Sequence, residues 1–293
     1  MSNGFHSQTL AVVGLGLMGG SLAMALRPYA QTIIGIDINA ESRAYALSKG
    51  IIDCGTEDLQ EGVREADAVI LAAPVRTVVE LLNKRLGTYL RSNTLLIDIG
   101  STKHDICEAM GKLPIGVQAI GGHPMTGKEY SGIQASDPTL YVGRPFVLCA
   151  TRRTTPATRL RALSLVNALK AVPIEMDSDR HDRVVATISH LPYLLSAALV
   201  ATAASEAQND EAVWQLAAGG FRDTSRLAGS DIRMMGDIIS TNTQAIAVLL
   251  AQFRVQLAML EMMLISRDEQ KLAEALTPLR EARLHWSSEY ERK

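Results

Sequence analysis

The chain has 293 residues, a formal net charge of −2, and is 47% hydrophobic but only 4% aromatic. Its length suits about two domains, with cores built mainly from aliphatic side chains. The balanced charge argues against a nucleic-acid or anionic-membrane partner, since both call for clustered Lys and Arg. Cys54, Cys107 and Cys149 show no metal-ligand spacing and read as small buried hydrophobes in a reducing compartment. Met1 to Gln8 is polar, and Thr9 to Val13 is too short for a signal h-region. The longest apolar run, Leu191 to Ala204, is shorter than a membrane span. These features predict a soluble cytoplasmic protein with no membrane partner.

The run Thr9 to Val13 is β-rich and ends in Gly14-Leu15-Gly16-Leu17-Met18-Gly19. Gly20 to Leu26 reads as the following helix, and a second strand, Thr32 to Ile36, ends at Asp37. Strand, G-x-G-x-x-G turn, helix, strand and acid together form the Rossmann fingerprint of a dinucleotide site. The first glycine permits the turn, the second admits a pyrophosphate, and the third lets helix and strand pack. The helix N-terminus offers its free N–H groups to the phosphates. Gly14, Gly16, Leu17, Met18, Gly19 and Asp37 are therefore candidate cofactor residues. A carboxylate at Asp37 accepts from ribose hydroxyls and repels a 2′-phosphate, which favours NAD over NADP. Asp37 as a cap of the next helix is the plainer alternative, and Arg43, about two turns on, reads as solvated.

Asp67 to Pro74 is a buried-type strand whose end places Pro74 on the cofactor side. Thr94 to Asp98 is another, followed by Gly100-Ser101-Thr102-Lys103. Val117 to Ile120 leads into Gly121-Gly122-His123-Pro124-Met125-Thr126-Gly127, which reads as an irregular loop holding one imidazole in place. Pro145 to Ala150 and Val172 to Met176 complete the strands, with a helix at Pro156 to Leu169 between them. The alternation predicts a parallel, doubly wound sheet with ligands beyond the carboxyl ends of the strands. Ser101 and His123 follow such ends. Ser101 also suits the N-cap of the next helix. An ordinary histidine base predicts activity rising as a group with a pKa of roughly 6 to 7 deprotonates.

From about Asp177 the pattern becomes helical. Ser178 to Asp182 is a polar junction in which His181 reads as a solvated first-turn residue, and Glu175 and Asp177 as strand-end or cap residues. Arg183 to Ala207 is almost wholly apolar and broken at His190-Leu191-Pro192, where proline predicts a kink. That kink makes His190 a candidate site residue. Gly219 to Arg226 carries two arginines, which share a face if the segment is helical. Asp223 beside them would occupy one arginine and leave the other for a carboxylate, and a plain surface salt bridge is the alternative. Gln244 to Ile265 is apolar nearly all round, so it must be covered, by a second copy or by its own domain. Asp268 to Lys293 reads as a shorter amphipathic helix with a charged tail.

Taken together, Gly14-x-Gly16-x-x-Gly19, Asp98-x-Gly100-Ser101-x-Lys103, Gly121-Gly122-His123-Pro124-Met125, Ser189-His190-Leu191-Pro192 and Gly220-Phe221-x-Asp223-x-x-Arg226 resemble the prephenate/arogenate dehydrogenase family. The resemblance runs from about Leu10 to Ile265. It implies an α/β Rossmann-type NAD-binding domain, residues 1–177, followed by an all-α substrate-binding and dimerisation domain, residues 178–293, and a homodimer through the C-terminal helices. The implied reaction is the NAD-dependent oxidative decarboxylation of prephenate to 4-hydroxyphenylpyruvate on the route to tyrosine. His123 matches the family's catalytic histidine and Ser101 the serine that orients it. His190 and Arg226 match substrate-binding positions, with Gly220 and Asp223 beside the latter. Glu129 matches an acid near the mouth of the site, where a carboxylate would favour the amine of arogenate or equally act as a gate paired with a neighbouring charge, and arogenate or dual specificity is the close alternative to prephenate. Relatives with an aromatic residue near Met235 differ from this chain there. The chain ends soon after its last helices, which leaves no room for a fused regulatory or chorismate mutase domain.

Two rivals remain open. β-Hydroxyacid dehydrogenases share Gly-Leu-Gly-x-Met-Gly but use a lysine on the first helix after the nucleotide-binding domain, and Arg183 to Ala207 contains none. A non-enzymatic NAD-binding regulator explains the glycines but not the His and Arg motifs.

Overall fold

Each strand expected in the first half forms. The computed structural model describes residues 4–128 and 130–291. The strands are β1 (Ser7–Val13), β2 (Ala30–Ile36), β3 (Cys54–Thr56), β4 (Ala68–Leu71), β5 (Leu95–Asp98), β6 (Gln118–Pro124), β7 (Pro145–Ala150) and β8 (Val172–Glu175), in one sheet ordered β3-β2-β1-β4-β5-β6-β7-β8. Side chains alternate across the central strands, as the pleat demands. Leu10 and Val12 enter one buried cluster with Leu22 and Leu26 of the helix Leu17–Leu26. Ala11 and Val13 enter the other with Val78 and Leu82 of the helix Val75–Asn83. A sheet covered on both faces explains why its inner strands are apolar throughout.

The sheet is not wholly parallel, which corrects one expectation. β6 pairs antiparallel with β7, matching His123 with Val147 and Pro124 with Phe146. β7 thus starts at the end of the sheet where β6 stops. A parallel neighbour would need a crossover of a dozen or more residues, usually a helix. Here the described residues of the intervening chain carry no helix beyond the 3₁₀ turn Ile133–Ala135. Cys54 is a smaller correction: it is exposed on the edge strand, whereas Cys107 and Cys149 are buried.

The helical half opens with Ser178–Val185, capped by the Asp177 carboxylate accepting from Arg180 N at 2.7 Å. Glu175 ends β8 and pairs with Arg159. A π turn, Ala186–His190, follows, and the helix resumes as Leu191–Ala207 with proline in its first turn. Pro192 has no N–H to give, so the ladder is interrupted here, and the predicted kink takes the form of a wide turn. The helix Ile232–Thr241 begins at the Asp231 cap, whose side chain accepts from Met234 N. Met235 and Ile238 of this helix are buried.

The chain divides into two compact units, one up to Thr243 and one from Gln244 onward. The sequence boundary at 177–178 lies inside the first unit, between β8 and the helix Ser178–Val185. The second unit consists of the helix Thr243–Ser266, from Gln244, and the helix Glu269–Glu289, which contains Pro278. Val255, Met262 and Ile265 are 58%, 70% and 74% exposed, so cover for this helix has to come from elsewhere. Helical structure also runs on past the apolar run at Leu191 to Ala204. Ser178–Ala207 and Thr243–Ser266 are each long and apolar enough to cross a membrane, by length and composition only. The expectation that no element reaches that length is therefore corrected.

Candidate active site

The dinucleotide turn has the geometry its glycines imply. Gly14 has φ +97°, and a Cβ there would lie 2.5 Å from the carbonyl oxygen of Ala72. A Cβ on Gly19 would lie 1.9 Å from the carbonyl oxygen of Gly14, so only glycine lets the helix pack on the turn. By contrast, no protein atom lies within 4 Å of a Cβ built on Gly16. The fold does not need that glycine, but a phosphate approaching the backbone does. Gly16 is the N-cap of Leu17–Leu26 and makes no side-chain cap, so the first N–H groups are left for a ligand. The carbonyl of Met18 accepts from the Tyr141 hydroxyl and that of Leu17 from Ser21, which hold this turn from behind.

Asp37 follows β2 and accepts from Leu15 N at 2.7 Å and Asn39 N at 2.8 Å. The next helix is capped by Asn39 instead, so Asp37 is not its cap. Arg43 is not simply solvated: its guanidinium donates to the carbonyl of Asp37 and faces Glu57 at 3.6 Å. Pro74 is the N-cap of Val75–Asn83, at the carboxyl end of β4. The residues present therefore fit a dinucleotide: an open glycine edge, a free helix N-terminus and a carboxylate.

The histidine segment differs from expectation. Gly121, Gly122 and His123 lie within β6 rather than in a loop. Neither glycine is there for a left-handed backbone. A Cβ on Gly121 would stand 2.7 Å from Cys107 Sγ, and one on Gly122 would stand 2.4 Å from the carbonyl oxygen of Asp98. The glycines bring β6 against β5 and its neighbours. Asp98 then holds the strand end with its side chain: Oδ1 accepts from Gly122 N at 3.0 Å and Oδ2 from Gly100 N at 2.7 Å. The Lys103 ammonium pairs with the same carboxylate, and both side chains are fully buried. Removing one partner of such a pair strands the other charge at a cost of about 3–5 kcal/mol.

A cavity of about 210 Å³ opens at the end of β6. Ser101, His123 and Met125 line it together with Val185, Ser189, His190 and Ile238. Ser101 does not cap the next helix. That helix is His104–Gly111, and Asp182 caps it, accepting from Lys103 N at 2.7 Å and His104 N at 2.9 Å. His181 is 1% exposed, not solvated. It lies 2.8 Å from His123 Nδ1 through Nε2 and 2.7 Å from Asp182 Oδ1 through Nδ1. His190 Nδ1 lies 3.2 Å from Asn242 Nδ2, which donates to the carbonyl of Asp182 at 2.8 Å.

Burial, reinforced by the Lys103 ammonium and by the proximity of His181 and His190, holds the His123 pKa well below its ordinary value. Burial pushes His190 down to about 4, against the attraction of Asp182. Both imidazoles are therefore neutral through the physiological range. The predicted activity rise between pH 6 and 7 is corrected accordingly, since His123 is already deprotonated there.

Not every predicted residue reaches the cavity. Gly220 and Asp223 lie on the helix Gly219–Ser225, and Arg226 opens the 3₁₀ turn Arg226–Gly229; none lines it. Asp223 pairs with Arg222 at 3.0 Å on the surface. Glu129 lies outside the described residues. His181, Asp182 and Asn242 were missed. One signal was present: His181, Val185 and Ser189 recur every fourth residue, the spacing of one helix face.

Residues 22–175 match the prephenate dehydrogenase nucleotide-binding domain and residues 177–278 the prephenate dehydrogenase dimerization domain. The chain belongs to the prephenate dehydrogenase family. Among curated relatives, the prephenate dehydrogenase of Bacillus subtilis is 34% identical over 241 residues, which cover 81% of this chain and 65% of that protein. The chain thus spans just under two thirds of that relative. A solved prephenate dehydrogenase from Aquifex aeolicus, in complex with hydroxyphenyl propionate and NAD+, superimposes with a TM-score of 0.86 at 31% identity, covering 95% of this chain and 98% of that one. Synechocystis arogenate dehydrogenase superimposes with 0.84 at 30% identity, covering 95% and 100%.

Proposed function

We propose that this prephenate dehydrogenase family member catalyses the NAD-dependent oxidative decarboxylation of prephenate to 4-hydroxyphenylpyruvate. The observation that carries the reading is His123: a neutral imidazole on the wall of a cavity at the carboxyl end of the sheet, the end that also bears the dinucleotide turn. Gly14, Gly16, Gly19 and the N-terminus at Leu17 and Met18 would hold the pyrophosphate, Asp37 the adenosine ribose, and Pro74 and Ser101 the approach to the nicotinamide. Bound there, NAD+ supplies the hydride acceptor.

His123 takes the proton of the ring hydroxyl as hydride leaves the same carbon. The electrons of the carboxylate bond pass into the ring as CO2 departs, and His123 returns the proton to the phenolate oxygen so formed. No net proton is released. Ser101 orients the hydroxyl, and His190 presents a second polar group across the cavity. By the family resemblance, Arg226, with Gly220 and Asp223 beside it in the sequence, would serve the side-chain carboxylate, and Glu129 would be the carboxylate that favours the amine of arogenate. The functional division is 1–177 for cofactor and 178–293 for substrate and dimerisation. The exposed apolar side chains of Thr243–Ser266 support a homodimer, and nothing in the composition calls for a nucleic-acid partner. A soluble biosynthetic enzyme of this kind works in the cytoplasm.

The likeness to the Synechocystis enzyme along its full length favours a second reading, arogenate as an alternative substrate. The test is formation of the reduced nicotinamide, NADH or NADPH, followed by absorbance, with prephenate and with arogenate, each offered with NAD+ and with NADP+. Turnover of prephenate with NAD+ is expected. Turnover of arogenate alone would move the assignment to the second reading, and no turnover in any combination would overturn both. Sedimentation equilibrium tests the dimer: a monomer at micromolar concentration would remove it.

A further inference from the structure

Asp182 stands behind both imidazoles of the cavity. Its side chain reaches His181, which reaches His123, and its backbone carbonyl reaches Asn242, which reaches His190. The direction of each hydrogen bond follows from what each group is able to donate. A carboxylate has no hydrogen to give, so His181 Nδ1–H donates to Asp182 Oδ1. With that one hydrogen on Nδ1, the His181 lone pair lies on Nε2, and His123 donates to it from Nδ1–H. This leaves His123 Nε2 without a hydrogen. On the other side, the Asp182 carbonyl only accepts, which makes the Asn242 atom facing it the amide nitrogen. The second hydrogen of that nitrogen points to His190 Nδ1, so His190 carries its own hydrogen on Nε2.

We propose that Asp182, acting through His181 and Asn242, locks His123 and His190 in opposite tautomers, so that His123 Nε2 is the proton acceptor and His190 Nε2–H the hydrogen-bond donor of one cavity. His181 and Asn242 are positioning residues in this scheme. The inference deepens the proposed function and rests on it for the meaning of the two roles. Two neutral imidazoles in one cavity would each otherwise choose either tautomer, and only one of the four combinations offers an acceptor at His123 and a donor at His190. When His123 accepts the substrate proton, its Nδ1–H bond to His181 strengthens, with the Asp182 carboxylate behind it. The same logic orders an Asp–His pair in hydrolases, here extended by one ring.

The experiment is ring-¹⁵N histidine NMR on the whole enzyme without substrate, with signals assigned through His123→Asn and His190→Asn. The two nitrogens of a neutral ring resonate far apart according to which is protonated. The expected result is Nδ1–H on His123 and Nε2–H on His190. The same tautomer on both rings, or Nε2–H on His123, overturns the proposal, as it would if His181 were a cation donating to both neighbours. Kinetics supply a second measurement. His181→Leu is expected to lower kcat at least about tenfold with KM for prephenate unchanged, and to let the His123 tautomers mix. His181→Gln is expected to restore most of kcat, because its Oε1 accepts from His123 Nδ1–H in place of Nε2. Equal loss in both variants, or a change in KM alone, would make His181 only a packing residue and overturn the assignment. The tautomers are read without turnover. Opposite tautomers in an enzyme inert to prephenate and arogenate would sink the proposed reaction and not the lock.

Discussion

Two glycine-bearing segments face the same end of the sheet, and they use glycine for different reasons. In the turn after β1, Gly14 takes a positive φ and Gly19 admits a close backbone, while Gly16 clears space that no protein atom fills. In β6, Gly121 and Gly122 keep an ordinary extended strand and remove side chains that would strike Cys107 and Asp98. The first segment is shaped for a ligand and the second for the sheet. A glycine cluster is therefore not by itself a loop, and only the partner of each absent Cβ tells the two uses apart.

The contrast breaks most visibly at the residue the second segment carries. His123→Asn is expected to lower kcat by at least about a hundredfold with an unchanged melting temperature; steady-state kinetics and calorimetry check both. Next in size is Gly122→Ala, which should cost about 1–3 kcal/mol of stability, measured by urea unfolding, and should cut kcat with it as β6 moves off Asp98. Gly16→Ala should do the reverse, raising the Kd for NAD+ about tenfold, or roughly 1.4 kcal/mol, by calorimetric titration without moving the unfolding midpoint. If Gly16→Ala unfolds the protein, the distinction drawn between the two segments is wrong.

The pH dependence sharpens the same comparison from the side of the imidazoles. His123 and His190 have depressed pKa values when folded and an ordinary value of about 6.5 when unfolded. The unfolded chain therefore binds more protons below that value. Their contribution to stability is full above about pH 6.5 and is lost as pH falls toward the folded values, about 4 for His190. Unfolding midpoints recorded from pH 8 to 4 should stay level from 8 to about 6.5 and then decline, to the extent these two groups control stability. The acid limb of kcat/KM should lie well below 6.5, and a limb at 6.5 would mean that His123 is not desolvated as the structure has it. The smallest effect is expected at Gly127, which is exposed with nothing near its would-be Cβ. Gly127→Ala should change stability by no more than about 0.5 kcal/mol.

Most of the architecture was legible because periodicity and punctuation are local properties. The strand–turn–helix around Gly14 to Leu26, the strand ends before Ser101 and the break at His190 to Pro192 all follow from neighbours in the chain. Three kinds of feature were not. The antiparallel β6–β7 pairing depends on where the segment between Pro124 and Pro145 returns, which no local pattern records. The strand character of Gly121 and Gly122 depends on atoms contributed by Asp98, Cys107 and Phe146. His181 and Asp182 look like a hydrated helix start until β6 and the segment before His104 are packed against them. Placing Gly220, Asp223 and Arg226 in the site came from the family motif and not from local pattern, and in the single chain they stay away from the cavity.

The wide turn at Ala186–His190 carries a further consequence, for chain length and not for chemistry. An α-helix advances about 100° per residue, so the π turn holds what is in effect one inserted residue between His181 and the helix Leu191–Ala207. Removing any single residue between Ala186 and Ser189 would close the π turn to an ordinary α turn and leave His190 at nearly its present angle to His181, because the wide turn is what absorbs the extra residue. Substitutions along this stretch leave that angle intact; a further one-residue insertion, with no second wide turn to absorb it, would swing His190 by about 100°. In this helix the count of residues, as much as their identity, decides whether His190 lines the cavity opposite His123.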